Sequence, residues 1–157
     1  MKGVVIYDSA YGNTKEVAEA ISKGLKESGT EVDTFYVKDV KKLKAEDYDF
    51  LVLGSPTKWG TMSFATKHFL GRIKNKEWAN KPFAAFDTQN PENIERGETC
   101  ASEKIAEKLM EKQMTQLLPV FKSIVLGWKG PMQEGEIERA KKYAADLTDK
   151  LSLRKNG

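Results

Sequence analysis

The sequence predicts an α/β class domain: a doubly wound, five-stranded parallel sheet. Three observations lead there. Continuous apolar runs at Val4–Tyr7, Phe50–Leu53 and Phe83–Phe86 suit strands buried on both faces. Between and after them, apolar residues recur every three or four positions, the spacing of helices packed on a sheet. A chain of 157 residues, 39% hydrophobic and 31% charged, suits one domain able to bury a core without staples.

The elements follow in order. Val4-Val5-Ile6-Tyr7 is the first strand, and Asp8 to Thr14 is a polar turn around Gly12. A helix is expected from Thr14, with Val17, Ala18, Ile21 and Leu25 inward and Gly29 closing it. Val32–Val37 mixes β-branched and aromatic residues with Asp33 and Thr34, which fits a more exposed strand. Lys38–Asp47 reads as a charged connection. Phe50–Leu53 is the third strand and ends in the turn formers Gly54-Ser55-Pro56-Thr57. Residues 62–73 are expected to be helical, with Phe64, Ala65, His68, Phe69 and Ile73 as inner positions. Phe83–Phe86 opens into the loop Asp87-Thr88-Gln89-Asn90-Pro91. A helix is expected over 99–118, stopped by Pro119. Ser123–Trp128 is the last strand. Ile137, Ala140, Ala144, Leu147 and Leu151 line a final helix, and the tail from Leu153 is expected to fray.

Composition excludes several classes. One cysteine leaves no disulfide framework and no cysteine-rich metal site, and one histidine leaves no multi-histidine centre. The 26 basic residues, 22 of them Lys, are interspersed with 23 acids for a net charge of +3. A nucleic-acid footprint would be clustered and richer in Arg, so no nucleic-acid partner is expected. No segment approaches the ~18 apolar residues of a membrane span, and the N-terminus lacks the apolar run of a signal peptide. A cytoplasmic location without membrane insertion is the expectation.

Ligands of open α/β sheets sit beyond the carboxyl ends of the strands. Three loops here leave buried strands at that edge, near Asp8, Gly54 and Asp87, and all are rich in hydroxyls, amides or glycine. Ser9, Tyr11, Asn13 and Thr14 surround Gly12 at a helix start, where free backbone N–H groups attract an anion such as a phosphate. The alternative is that Asn13 or Thr14 only caps the helix. Other phosphate motifs, G-x-x-x-x-G-K-[ST] and G-x-G-x-x-G, are absent from the sequence, as is a G-x-S-x-G nucleophile elbow.

The stretch Val5-Ile6-Tyr7-Asp8-Ser9-Ala10-Tyr11-Gly12-Asn13-Thr14 resembles the flavodoxin signature. Leu53-Gly54-Ser55-Pro56-Thr57-Lys58-Trp59-Gly60 is similar to that family's second flavin loop, and Gly127–Glu136 to its connection before the last helix. The resemblance spans residues 2–152. It implies strand order 2-1-3-4-5 and non-covalently held FMN. On this reading Ser9, Gly12, Asn13 and Thr14 hold the FMN phosphate, and Tyr11 stands where many family members have Thr. Pro56, Thr57, Lys58, Trp59 and Gly60 line one side of the isoalloxazine, and Thr88, Gln89 and Asn90 approach the other. The implied function is electron transfer between redox partner proteins. The alternative is an FMN-dependent oxidoreductase acting on a quinone, a porphyrinogen or a similar small molecule, because Pro-Thr-Lys-Trp-Gly also resembles a loop of flavodoxin-like quinone reductases. The +3 charge departs from the acidic character of many flavodoxins. Whether the chain is monomeric or self-associating stays open.

Physical roles attach to several of these residues. Trp59, in a polar loop, is the candidate to stack on a flavin. Trp78 and Trp128 are expected to pack. Lys58 would favour the anionic reduced flavin and make the last reduction step less negative, unless it points into solvent. Cys100 is either a small buried residue or a thiol acidified by a helix start. His68 is expected to pack or to sit on the surface. Lys38, Lys41, Lys42 and Lys44 form either a solvated face or a cluster that steers an acidic redox partner.

Overall fold

The computed structural model describes residues 1–156. Strands β1 (Lys2–Tyr7), β2 (Glu31–Tyr36), β3 (Phe50–Pro56) and β4 (Pro82–Gln89) pair in parallel in the order β2-β1-β3-β4. The fifth position is shared by two short pieces. β5 (Thr115–Gln116) pairs with the start of β4, and β6 (Phe121–Ile124) pairs with its end. The sheet is therefore doubly wound with order 2-1-3-4-5, as the sequence and its resemblance imply.

Helices α1 (Asn13–Glu27) and α6 (Glu136–Asn156) cover one face, where Val5, Val52, Phe86, Ile21, Leu25, Ala144 and Leu147 form one core layer. The other face holds α2 (Phe64–Arg72), α3 (Asn75–Trp78) and α5 (Ala101–Glu111), together with the connection after β2. Its core layer includes Val40, Leu51, Leu53, Phe69, Trp78 and Ile105. Trp78 is buried, as expected of a packing residue. Between α3 and β6 lies α4 (Pro91–Glu95), a short helix in the third loop.

The differences from the sequence reading have physical causes. β3 and β4 run three residues past their apolar runs, because Ser55 pairs with Asp87 and Pro56 with Thr88 across the ladder. The side chains of Ser55, Asp87 and Thr88 all find hydrogen-bond partners, so the strands stay buried. The helix expected over 99–118 stops at Glu111, well before Pro119. Gln113 takes a left-handed φ of 66°, its N–H bonds Met110 O, and Met114 N–H bonds Leu109 O. That is a Schellman termination with glutamine where glycine is usual, so the sequence carries no stop signal there.

The last strand spans 121–124 rather than 123–128. Val125 bridges antiparallel to Met132, and the chain from Leu126 to Pro131 leaves the sheet as a loop. Phe64, expected to face inward, is 90% exposed. Ser63 caps α2 by accepting the Thr66 N–H, and the helix then buries Thr66, Phe69 and Leu70. His68 lies exposed on α2. The residues from Leu153 to Asn156 continue α6 rather than fraying, and Gly157 lies outside the described residues.

Candidate flavin site

The carboxyl ends of β1, β3, β4 and β6 open onto a cavity of about 420 Å³. Its lining takes in Ser9, Tyr11, Asn13 and Thr14 from the first loop, Pro56 to Gly60 from the second, and Thr88, Gln89 and Asn90 from the third. Gly12 lines a smaller neighbouring cavity, beside Ser9 and Lys15. The fold thus gathers the three loops at one place.

The first loop presents backbone more than side chain. Gly12 is the N-cap of α1 at φ 94°, a left-handed conformation that glycine adopts without penalty. No side chain caps the helix, so Asn13 and Thr14 do not play the capping role that the sequence left open. Ser9 Oγ accepts the Gly12 N–H at 2.9 Å and keeps its own proton to donate. The uncapped first turn of a fifteen-residue helix leaves backbone N–H groups free, the arrangement that favours an anion.

Several candidate side chains spend their hydrogen bonds within the protein. Thr14 Oγ1 and Thr88 Oγ1 lie 2.8 Å apart, buried. Asn13 Nδ2 donates to Lys129 O. In the amide orientation that its surroundings satisfy, Asn90 Nδ2 donates to Val125 O and Gly127 O. Gln89 Nε2 donates to Asp87 Oδ1, and Gln89 Oε1 accepts from Asn93 Nδ2. Thr57 Oγ1 accepts the Ala101 N–H. These groups build the cavity walls and cross-link the loops, so the donors left for an anion fall largely on the backbone.

The second loop is a tight turn. Lys58 and Thr61 exchange backbone hydrogen bonds at 3.0 and 3.1 Å, with Trp59 and Gly60 at φ 53° and 74° between them. Two successive positive φ values make a two-residue I′-type turn, which glycine suits and tryptophan does not. The turn lifts Trp59 wholly into solvent, 100% exposed, at the cavity rim. Thr99 Oγ1 donates to Gly60 O at 2.9 Å and anchors the turn. Lys58 is exposed beside it.

Trp128 was expected to pack, and the structure corrects this. It is 73% exposed, lines the cavity, and its Nε1 donates to Tyr11 Oη at 3.0 Å. The Lys129 ammonium lies 5.6 Å from the centre of the Tyr11 ring. Trp128 lies between Gly127 and Lys129 much as Trp59 lies between Lys58 and Gly60, so the same sequence signal marks both. Also missed were Asn93, Arg96 and Glu98, which complete the third wall from α4 and the segment after it.

Beneath the third loop lies Asp87. Its carboxylate accepts from Ser102 N, Ser102 Oγ and Gln89 Nε2. Burial pushes its pKa up, against the pull of those bonds. Cys100 is the N-cap of α5 yet is fully buried, and burial followed by the Asp87 charge pushes its thiol up to about 11. The acidified-thiol alternative is thereby overturned in favour of a buried structural cysteine.

The residues fit a flavin mononucleotide. A helix start with free N–H groups stands at one end of the cavity, and exposed Trp59 and Trp128 stand around it. Its volume of about 420 Å³ suits a small cofactor. Comparison with known proteins decides the family. A profile of the flavodoxin domain matches residues 4–117.

This chain belongs to the flavodoxin family.

It is 32% identical over 115 residues to a flavodoxin of Clostridium saccharobutylicum, covering 73% of this chain and 71% of that protein. It is also 32% identical over 89 residues to an NAD(P)H dehydrogenase (quinone) of Methylocella silvestris, across 44% of this chain and 45% of that one. Among solved structures, a flavodoxin from the domain Archaea superposes with a TM-score of 0.81 at 26% identity, over 97% of this chain and 99% of that chain. The flavodoxin signature in the first loop lies within the matched profile, whereas Trp128 and the loop that carries it lie beyond its end. Among the described residues no helix is long and apolar enough to cross a membrane.

Proposed function

We propose that this chain holds FMN and carries electrons between redox partner proteins, in keeping with the cytoplasmic location expected from its sequence. One observation carries the reading: a single cavity joins the uncapped start of α1 to the exposed rings of Trp59 and Trp128. In it the backbone N–H groups of α1, with the Ser9 hydroxyl, would receive the phosphate. Trp59 and Trp128 would cover the ring system, and Thr57, Thr88 and Gln89 would form the walls around it. The flavin supplies reversible electron uptake, and the protein supplies binding, orientation and electrostatics.

The runner-up is a two-electron oxidoreductase acting on a quinone or a similar small molecule. The similarity to an NAD(P)H dehydrogenase (quinone) and the cation of Lys58 at the rim support it. The carrier reading is the stronger one because a cavity of about 420 Å³ is small for cofactor and substrate together.

Anaerobic photoreduction of the FMN-loaded protein, followed by absorbance, tests the choice. Reduction in two resolved one-electron steps is the expected result. Direct passage to the fully reduced flavin, with rapid reoxidation by a quinone, would favour the enzyme. A protein that stays colourless with added FMN would sink both.

A further inference from the structure

The charges of this chain are mixed along its sequence but not over its surface. Two segments lie side by side on the face that carries α2. The Arg72 guanidinium donates to Val40 O and Lys41 O, and Val37, Val40, Phe69, Leu70 and Ile73 share one core layer. The chain over 38–44 and the chain over 58–72 therefore form one continuous surface. Together they hold seven basic residues, Lys38, Lys41, Lys42, Lys44, Lys58, Lys67 and Arg72, and one acid, Asp39, with the exposed acids Glu46 and Asp47 at the edge just beyond Lys44. The rest of the chain holds 19 basic and 22 acidic residues. The net charge of +3 thus conceals a cationic face on an otherwise slightly acidic molecule.

Ion pairing runs the same way, with eight of the other 19 basic residues held by a carboxylate. Lys2, Lys15, Arg96, Lys104, Lys108, Lys122, Arg139 and Lys142 each lie within 4.0 Å of a carboxylate. Among the described residues, none of the seven cations on the α2 face does. Asp39 is turned aside, lining the small cavity with Tyr36 and Lys15. Two large exposed rings stand in the same surface. Trp59 is 100% exposed and Phe64 90%, with the Lys67 ammonium 5.9 Å from the Phe64 ring centre. The surface borders the cavity directly, since Lys58, Trp59 and Gly60 line both.

We propose that this face is the docking surface for an acidic redox protein, with Trp59 and Phe64 as its apolar contacts and the unpaired lysines as its steering field. The inference rests on the carrier reading and names the partner's chemistry. Unpaired cations attract a complementary acidic surface and orient the encounter. Exposed aromatics supply the buried centre of such interfaces. A nucleic acid fits less well, because the one guanidinium of the face is spent on two backbone carbonyls and lysines offer no bidentate grip. A membrane surface fits less well, because the apolar part is two rings at a turn and a helix start rather than a stripe along a helix.

The test is a titration of the isotope-labelled chain with zinc-substituted rubredoxin, a small acidic and redox-inert probe, followed by amide and indole chemical shifts at low salt. Saturable shifts confined to 38–44 and 58–72, including the Trp59 indole, are expected. Lys41→Glu/Lys42→Glu/Lys67→Glu should weaken binding by about tenfold or more. Lys23→Glu/Lys142→Glu/Lys150→Glu changes net charge equally on the α1 and α6 side and should leave binding within about twofold. Shifts spread over other faces, or equal effects of the two triple variants, would overturn the proposal. So would tighter binding to phosphatidylglycerol vesicles or to a short oligodeoxynucleotide than to rubredoxin. The titration needs no electron transfer and no bound flavin, so its outcome is separable from that of the photoreduction.

Discussion

The hydroxyl oxygens of Thr14 and Thr88 lie 2.8 Å apart in the interior, tying the first turn of α1 to the carboxyl end of β4. One hydroxyl donates to the other, so the pair couples the start of α1 to the third wall of the cavity. Replacing one partner by valine strands the other. Thr14→Val or Thr88→Val alone should cost about 1–3 kcal/mol in urea unfolding and weaken FMN binding. The double variant should recover most of the stability, because two apolar groups of the same shape leave nothing unsatisfied. Additive losses in the double-mutant cycle would count against the coupling.

Trp128 and Tyr11 join the connection after β6 to the first loop through a hydrogen bond at the surface. Trp128→Ala should weaken FMN binding by about tenfold while leaving the melting temperature of the flavin-free protein nearly unchanged, since the ring is exposed. Tyr11→Phe should have the smaller effect, because the Tyr11 ring remains under Lys129. Flavin fluorescence quenching reads both. Unaltered affinity in Trp128→Ala would remove Trp128 from the site.

Trp59 holds a left-handed backbone without any protein contact to reward it. Trp59→Gly should therefore stabilise the flavin-free protein by about 1 kcal/mol and at the same time loosen FMN. Opposite signs in the melting temperature and the binding constant are the expected signature of a residue kept for its ligand. A variant that lost both would show that Trp59 supports the fold.

Lys58 places a cation at the rim of the cavity. Lys58→Ala should make the last reduction step of bound FMN more negative, because the reduced flavin loses a stabilising positive charge. Spectroelectrochemical titration measures it, and an unchanged potential would show that the ammonium points into solvent.

Acid stability should carry the mark of Asp33. The Tyr48 hydroxyl and then Lys2 hold its carboxyl below the usual range. A carboxylate whose pKa is depressed on folding stabilises the fold above its unfolded value, near pH 4, and loses that contribution as pH falls through the folded value. Asp33→Asn should therefore be less stable than the parent at neutral pH, and the gap should close at pH ~2. A gap independent of pH in urea midpoints would point to lost packing instead. Native Cys100 should likewise resist iodoacetamide at neutral pH and react once the chain is unfolded, as its burial and raised pKa require.

The alternation of strands and helices, the inner faces of α1 and α6, and the three loops from which a site would come are legible in the chain alone. These are read from local regularities: continuous apolar runs, three-to-four spacing, and turn formers after strands. The flavodoxin resemblance was legible for the same reason, since the run that carries it in the first loop is contiguous. The remaining features depend on residues far apart in the chain and emerge only on folding. The end of α5 lies in the left-handed backbone of Gln113, which no glycine announces. β3 and β4 continue into polar residues only because each finds a partner across the ladder or from α5. Trp128 reaches the cavity only because β6 ends early and hands its last residues to a loop. The sequence shows the Lys38–Lys44 half of the cationic face, and only the fold joins it to Lys58, Lys67 and Arg72, which lie beyond β3. Pattern specifies elements, whereas hydrogen-bond satisfaction and charge placement are settled only when the elements meet.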